Sequence, residues 1–176
     1  REMEAQRQRA RANAKMTEVG WEDTIADALS NVAPTDFGGY DRLESEAKII
    51  AIVTDAGSAK ALAEGNSGIL VMDKTPFYGT MGGQEGDAGV IRTADGEFTE
   101  AVVTDTKKPP DGKFYHIVEV KEGTFGVGET VTAKVDIRTR RRTQANHSAT
   151  HLLDSALKNK FSRAVSQAGS LVNKDR

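Results

Sequence analysis

What most limits the folds open to this chain is a succession of short β-prone runs, separated by turn residues, with no helical segment between them. Six such runs occupy 47–54, 68–73, 89–93, 97–104, 113–120 and 129–137. The punctuation between them is Gly65-Asn66-Ser67-Gly68, Asp95-Gly96, Pro109-Pro110-Asp111-Gly112 and a glycine-rich stretch from Gly123 to Gly128. Each is built from residues that favour turns for a local backbone reason. Asp95-Gly96 has the form of a two-residue hairpin turn. Strands this short and this close predict a small antiparallel barrel or sandwich, and closure removes the exposed edges. In the last run Val131, Ala133, Val135 and Ile137 alternate with Thr132, Lys134 and Asp136, so the first set is expected to face inward and to close the core.

Helical patterns flank this region, giving a mainly β (α+β) class. Trp21, Ile25, Ala28, Leu29 and Val32 repeat at helical spacing before Pro34, with Trp21 the expected core anchor. Residues 2–15 are Glu, Gln, Arg and Ala with almost no large apolar side chain, which predicts a connector helix whose packing partner is elsewhere. A second helix is expected from Arg138 to about Phe161, with Leu152, Leu153, Ala156 and Leu157 on its apolar side. Residues 164–172 read as a further strand that ends before it pairs fully. With 38% hydrophobic and 28% charged residues the chain is polar for one globule, and it reads as a piece of something longer. No apolar run approaches the roughly 18 residues of a membrane span. The absence of cysteine excludes disulfides and thiolate metal sites within the chain. A net charge of −2 points to no partner, so local clusters carry the argument.

Three clusters have chemical content. His147 and His151 stand at i and i+4 in the second helix, which stacks both imidazoles on one face within reach of one ion. Spacing alone favours a packing or capping role over metal binding, and the remaining histidine, His116, reads as a strand residue rather than a third ligand. The segment Thr75-Pro76-Phe77-Tyr78-Gly79-Thr80-Met81-Gly82-Gly83-Gln84-Glu85-Gly86-Asp87-Ala88-Gly89 lacks the Lys-Ser/Thr of a phosphate-binding loop. Gly82 and Gly83 permit positive φ and close backbone approach, and of Phe77 and Tyr78 one is expected in the core and one at the rim. The third cluster is Arg138, Arg140, Arg141 and Arg142, a basic patch at a helix start, where positive charge opposes the macrodipole. Contact with phosphate would explain it; so would pairing with acidic neighbours such as Asp136.

Read together, these segments resemble a known family. The string from Arg141 through Asn146-His147-Ser148-Ala149-Thr150-His151-Leu152-Leu153 resembles the start of the editing domain of alanyl-tRNA synthetases. The glycine segment resembles that family's P-F-Y-x-x-x-G-G-Q-x-G-D-x-G signature. Asp36-Phe37-Gly38-Gly39-Tyr40, Lys113-Phe114-Tyr115-His116-Ile117 and Gln167-Ala168-Gly169-Ser170-Leu171-Val172 follow in family order. Two places depart from the pattern: Gly79-Thr80-Met81 stands where Ala-Glu-Ser is usual, and Asp154 where a histidine is common.

The resemblance implies connector helices at 1–35, a translation-protein-type six-stranded antiparallel β-barrel at 36–138, and the start of an editing domain at 139–176. It implies zinc held by His147 and His151, with a Cys and a His of a C-x-x-x-H motif beyond Arg176 completing the shell. Gln167 and Thr150 would line the editing pocket. Arg138, Arg140, Arg141, Arg142, Tyr78, Gly82, Gly83 and Gln84 would face tRNA. ATP and magnesium would bind in an upstream domain, with no ATP-binding residue in this segment. The parent would be a cytoplasmic ligase acting on tRNA, with neither membrane nor DNA as partner, and the segment alone would be inactive. A free-standing editing hydrolase and a non-catalytic RNA-binding barrel are the rival expectations.

Overall fold

The computed structural model describes residues 21–94, 98–161 and 169–175. The expected connector helix at 2–15, the Asp95-Gly96 turn and Gln167 lie outside them, as does the side chain of Trp21. Helix α1 (Trp21–Ala28) leads to a short strand β1 (Asp36–Phe37). The strands that follow are β2 (Glu44–Thr54), β3 (Gly57–Ala59), β4 (Ala61–Ala63), β5 (Ser67–Met72) and β6 (Lys74–Thr75). After the glycine segment come β7 (Gly89–Thr93), β8 (Glu100–Lys107), β9 (Tyr115–Glu122), β10 (Thr124–Gly126) and β11 (Thr130–Val135). Helix α2 (Ile137–Lys160) ends the regular structure.

Each of the six predicted runs is a strand, and together they close a barrel. Pairing runs β2–β5–β9–β8–β7–β11 and returns from β11 to β2, antiparallel at every step. The closing strand β11 places Val131 beside Ala47 of β2 and beside Thr93 of β7, so neither side of it is an edge. Val131, Ala133 and Val135 face the core as their alternation predicts. Ile137 does not, because the strand stops at Val135 and Asp136 turns the chain into α2. The hairpin between β7 and β8 pairs Gly89 with Val103 and Arg92 with Glu100.

The barrel interior is filled by Ile49, Ile52, Leu70, Met72, Ile91, Val103, Val118 and Val120, with Phe77 and Phe125 fully buried among them. The second half of β2 (49–53) and β5 are near-continuous apolar runs because they are covered on both faces. Outside the barrel Ile25 and Leu29 of α1 pack on Ala51, Val53, Ile69 and Val71. At about 1.5–3 kcal/mol for each large apolar side chain buried, that second cluster attaches α1 firmly.

His116, in β9, is wholly buried within this core. Its Nδ1 lies 2.9 Å from the Leu70 carbonyl and its Nε2 2.8 Å from Thr75 Oγ1. Burial holds its pKa down at about 4, so it is a neutral core residue at neutral pH.

Candidate functional site

The glycine segment between β6 and β7, the first four turns of α2 and residues 169–173 meet at one end of the barrel. Helix α2 begins abruptly because Asp136 caps it: its carboxylate accepts from the backbone N–H of Arg138 at 2.9 Å and of Thr139 at 3.3 Å. It also accepts from the Thr139 hydroxyl at 2.8 Å, and these hydrogen bonds hold its pKa below the usual carboxylate range. The anionic cap offsets the unfavourable macrodipole placement of the arginines that follow.

Arg140 differs from the other three arginines of the expected basic patch. It is only 6% exposed, and its guanidinium turns inward to the glycine segment. Nε donates to both Asp87 carboxylate oxygens at 2.9 and 2.8 Å, and Nη2 also reaches Asp87. Nη1 donates to the Gly39 carbonyl and Nη2 to the Pro76 carbonyl, each at 2.9 Å. Four of its five N–H groups are thereby committed within the chain. Arg138, Arg141 and Arg142 are exposed and remain open to a phosphate. Asp87 is fixed in turn: it accepts from the Tyr78 backbone N–H at 2.6 Å, and its own carbonyl accepts from Thr106 Oγ1 at 2.9 Å.

The tip of the segment is a tight two-residue turn. Met81 and Gln84 exchange backbone hydrogen bonds at 3.2 and 3.1 Å, with Gly82 and Gly83 at φ 61° and 83° between them. Gly83 must also lack a side chain, since a Cβ there would stand 2.1 Å from the Ser170 carbonyl oxygen; Gly82 faces open space. The close approach that this glycine pair permits is therefore, at Gly83, to the chain itself. Residues 169–173 lie alongside: Val172 N–H donates to the Gly83 carbonyl at 2.8 Å and Glu85 N–H to the Val172 carbonyl at 2.9 Å. Asn146 of α2 donates to the Asn173 carbonyl at 2.9 Å, tying helix, tail and loop together. The strand expected at 164–172 is thus, over its described part, a single parallel bridge between Gln84 and Val172.

Gln84 likewise turns into the chain. It is buried, at 7% exposure, and it points at the histidine pair, with Oε1 2.6 Å from His147 Nδ1. His147 and His151 stack at 4.8 Å between ring centroids, and their Nε2 atoms converge to 2.9 Å. Two Nε2 ligands of one tetrahedral zinc stand about 3.3 Å apart, so a small ring adjustment would fit a shared ion. Among the described residues no third His, Cys, Asp or Glu joins them. Thr150 lies on the same helix, its hydroxyl donating to the Asn146 carbonyl at 2.9 Å. At Asp154, the carboxylate accepts from Lys158 Nζ at 2.6 Å.

Of the aromatic pair, Phe77 is in the core and Tyr78 is half-buried at the rim, edge-on to Phe37 at 6.3 Å. Burial raises the Tyr78 pKa, with the Tyr40 and Asp87 charges adding to it. Within the departure Gly79-Thr80-Met81, Thr80 is structural: its hydroxyl donates to the Thr106 carbonyl at 3.1 Å and accepts from Gly86 N–H at 3.0 Å. Downstream of the histidines α2 presents apolar side chains to solvent. Leu152 and Phe161 are 72% and 68% exposed, and Leu153 and Leu157 are exposed with them.

A family model described as tRNA synthetases class II (A) matches residues 1–139. Among curated proteins, the alanine–tRNA ligase of Chromohalobacter salexigens is 46% identical over 100% of this chain and 19% of its own length. That of Alkaliphilus oremlandii is 44% identical over 99% of this chain and 20% of its own. The corresponding ligase of Rhizobium meliloti is 43% identical, again over 99% of the chain. The chain spans about a fifth of the length of the curated relatives it matches.

Proposed function

This chain belongs to the class II tRNA synthetases (A), and from that premise we propose that it is the internal part of an alanine–tRNA ligase in which a barrel meets the start of a hydrolytic editing domain. In this reading 1–35 connects to the upstream ligase domain, where ATP, magnesium and alanine bind. Residues 36–138 form the barrel, and 139–176 begin the editing domain. The parent works in the cytoplasm on tRNA. No helix among the described residues is long and apolar enough to cross a membrane.

The chemistry explains why such a ligase needs a second site. A pocket built for alanine gains only about 1–3 kcal/mol against glycine, which lacks one methyl. Serine adds a hydroxyl to a similar shape and is rejected by a factor of order 10². The mischarged ester must therefore be hydrolysed elsewhere.

His147 and His151 are the residues that would hold zinc, through Nε2. When bound, zinc polarises an ester carbonyl or makes a water acidic enough to attack. The remaining ligands would be a Cys and a His downstream of Arg176. Thr150 and Gln167 would line the pocket around the ester. Exposed Arg138, Arg141 and Arg142, with the Tyr78 rim and the open Gly82, would meet the tRNA backbone; Arg140, Gly83 and Gln84 are already engaged within the chain.

The observation that carries this reading is the convergence of the two Nε2 atoms at 2.9 Å on a helix held in fixed orientation against the barrel. The test is a chain extended through the downstream C-x-x-x-H motif. It should carry one zinc, lose it in His147→Ala, and deacylate seryl-tRNA, whereas the 176-residue chain should not. Robust seryl-tRNA hydrolysis by the shorter chain would sink the proposal.

A further inference from the structure

We propose that Gln84 of the barrel is the positioning residue of the metal-binding pair: it fixes the proton of His147 on Nδ1 and so leaves Nε2 bare to bind a metal. The inference rests on the reading of His147 and His151 as metal ligands and extends it across the domain boundary.

The argument is one of donors and acceptors. Oε1 of Gln84 is a carbonyl oxygen with no hydrogen, so at 2.6 Å from Nδ1 the ring must donate. A neutral imidazole carries one N–H, and with that hydrogen on Nδ1 the lone pair of His147 lies on Nε2. The 2.9 Å contact between the two Nε2 atoms then has one possible polarity without a metal: His151 Nε2–H donates to His147 Nε2. His147 is therefore ready to ligate, and His151 must move its hydrogen to Nδ1 before its own Nε2 can do so. The two ligands are unequal, and the barrel decides which is prepared.

Gln84 is suited to the role because it is immobilised. It is buried, its backbone closes the Gly82-Gly83 turn against Met81, and its neighbour Glu85 is paired with Val172. Seven residues before His147 the same segment grips the same helix through Asp87 and Arg140. An acceptor placed this way holds a ligating ring in one tautomer and one orientation. Removal of such outer partners typically weakens metal binding ten- to a hundredfold.

The test uses the full 176-residue chain and two readouts. In the metal-free protein, long-range proton–nitrogen NMR of labelled histidine should show His147, assigned with His147→Ala, as the Nδ1–H tautomer. The near-isosteric Gln84→Met should shift it to Nε2–H, and Gln84→Glu, which keeps the acceptor, should restore Nδ1–H. Zinc competition with a chromophoric chelator should show Gln84→Met ten- to a hundredfold weaker than the parent, and Gln84→Glu close to it. An Nε2–H tautomer in the parent, or Gln84→Met that changes neither readout, overturns the inference. Zinc binding that depends on His147 but not on Gln84 overturns the inference alone. Zinc binding indifferent to His147→Ala, with a tautomer that still follows Gln84, overturns the metal reading instead.

Discussion

Arg140→Met should be the most damaging conservative substitution at the junction between barrel and helix. Methionine keeps the length and apolar stem of arginine but removes every donor. Asp87, 4% exposed, would keep the Tyr78 N–H and lose its counter-charge, while the Gly39 and Pro76 carbonyls would lose their Arg140 donors. Breaking a buried pair from one side typically costs about 3–5 kcal/mol, because the other charge is left uncompensated. With a urea dependence of about 2 kcal/mol per molar, the unfolding midpoint should fall by about 1.5–2.5 M. Circular dichroism in urea measures that shift. The double variant Asp87→Asn/Arg140→Met should be less harmful than the sum of its parts, since no bare charge remains. A loss below about 1 kcal/mol for Arg140→Met, the size of a surface pair, would refute the view that this ion pair fastens helix to barrel.

Further outcomes follow from the same geometry. His116 is held neutral, with a folded pKa of about 4 against about 6.5 unfolded, so the unfolded chain binds the extra proton between these values. Its contribution is therefore complete above about pH 6.5 and is lost as pH falls towards 4, a change of about 3 kcal/mol. Urea titrations between pH 7 and 4 should show that loss, and His116→Phe should flatten it. Gly83→Ala should cost more than Gly82→Ala, although both have positive φ, because only the former meets the Ser170 carbonyl. Hydrogen exchange at the Val172 and Glu85 amides should accelerate in Gly83→Ala and stay slow in Gly82→Ala. If Arg138, Arg141 and Arg142 meet phosphate, alanine at each should lower the salt dependence of tRNA binding by about one unit for every phosphate left without its arginine. Equal slopes in filter-binding titrations would remove them from the interface.

The barrel was legible because its signal is local. Alternation in β11 and turn residues at its ends depend on neighbours one and two positions away, and those survive in the order of the letters. Even the apolar runs in the second half of β2 (49–53) and in β5 have a local reason, since both faces are covered there and neither needs a polar partner. The junction was not legible in the same way. Asp87 and Arg140 are 53 residues apart, and Gln84 and His147 are 63 apart. In the sequence Arg140 stands among three other arginines that look identical to it. What separates it is azimuth on the helix: 140, 143 and 147 share the face turned to the barrel, whereas Arg138, Arg141 and Arg142 point away. A count of four and seven back from His147, which reaches Thr143 and Arg140, could have picked it out, once the barrel was known to lie on that side.

Helix α2 starts one residue after β11 ends, with Asp136 alone between them. It is then touched by the barrel loop at Arg140 and again two turns later at His147. The two touches work like teeth in a gear. Inserting or deleting one residue between them would rotate everything downstream by about 100°, carrying the imidazoles from the loop to open solvent while leaving both the barrel and the helix intact. The interval from Val135 to His151 therefore tolerates exchange of letters on its outer face but no change of length, in a region that by exposure alone would look permissive.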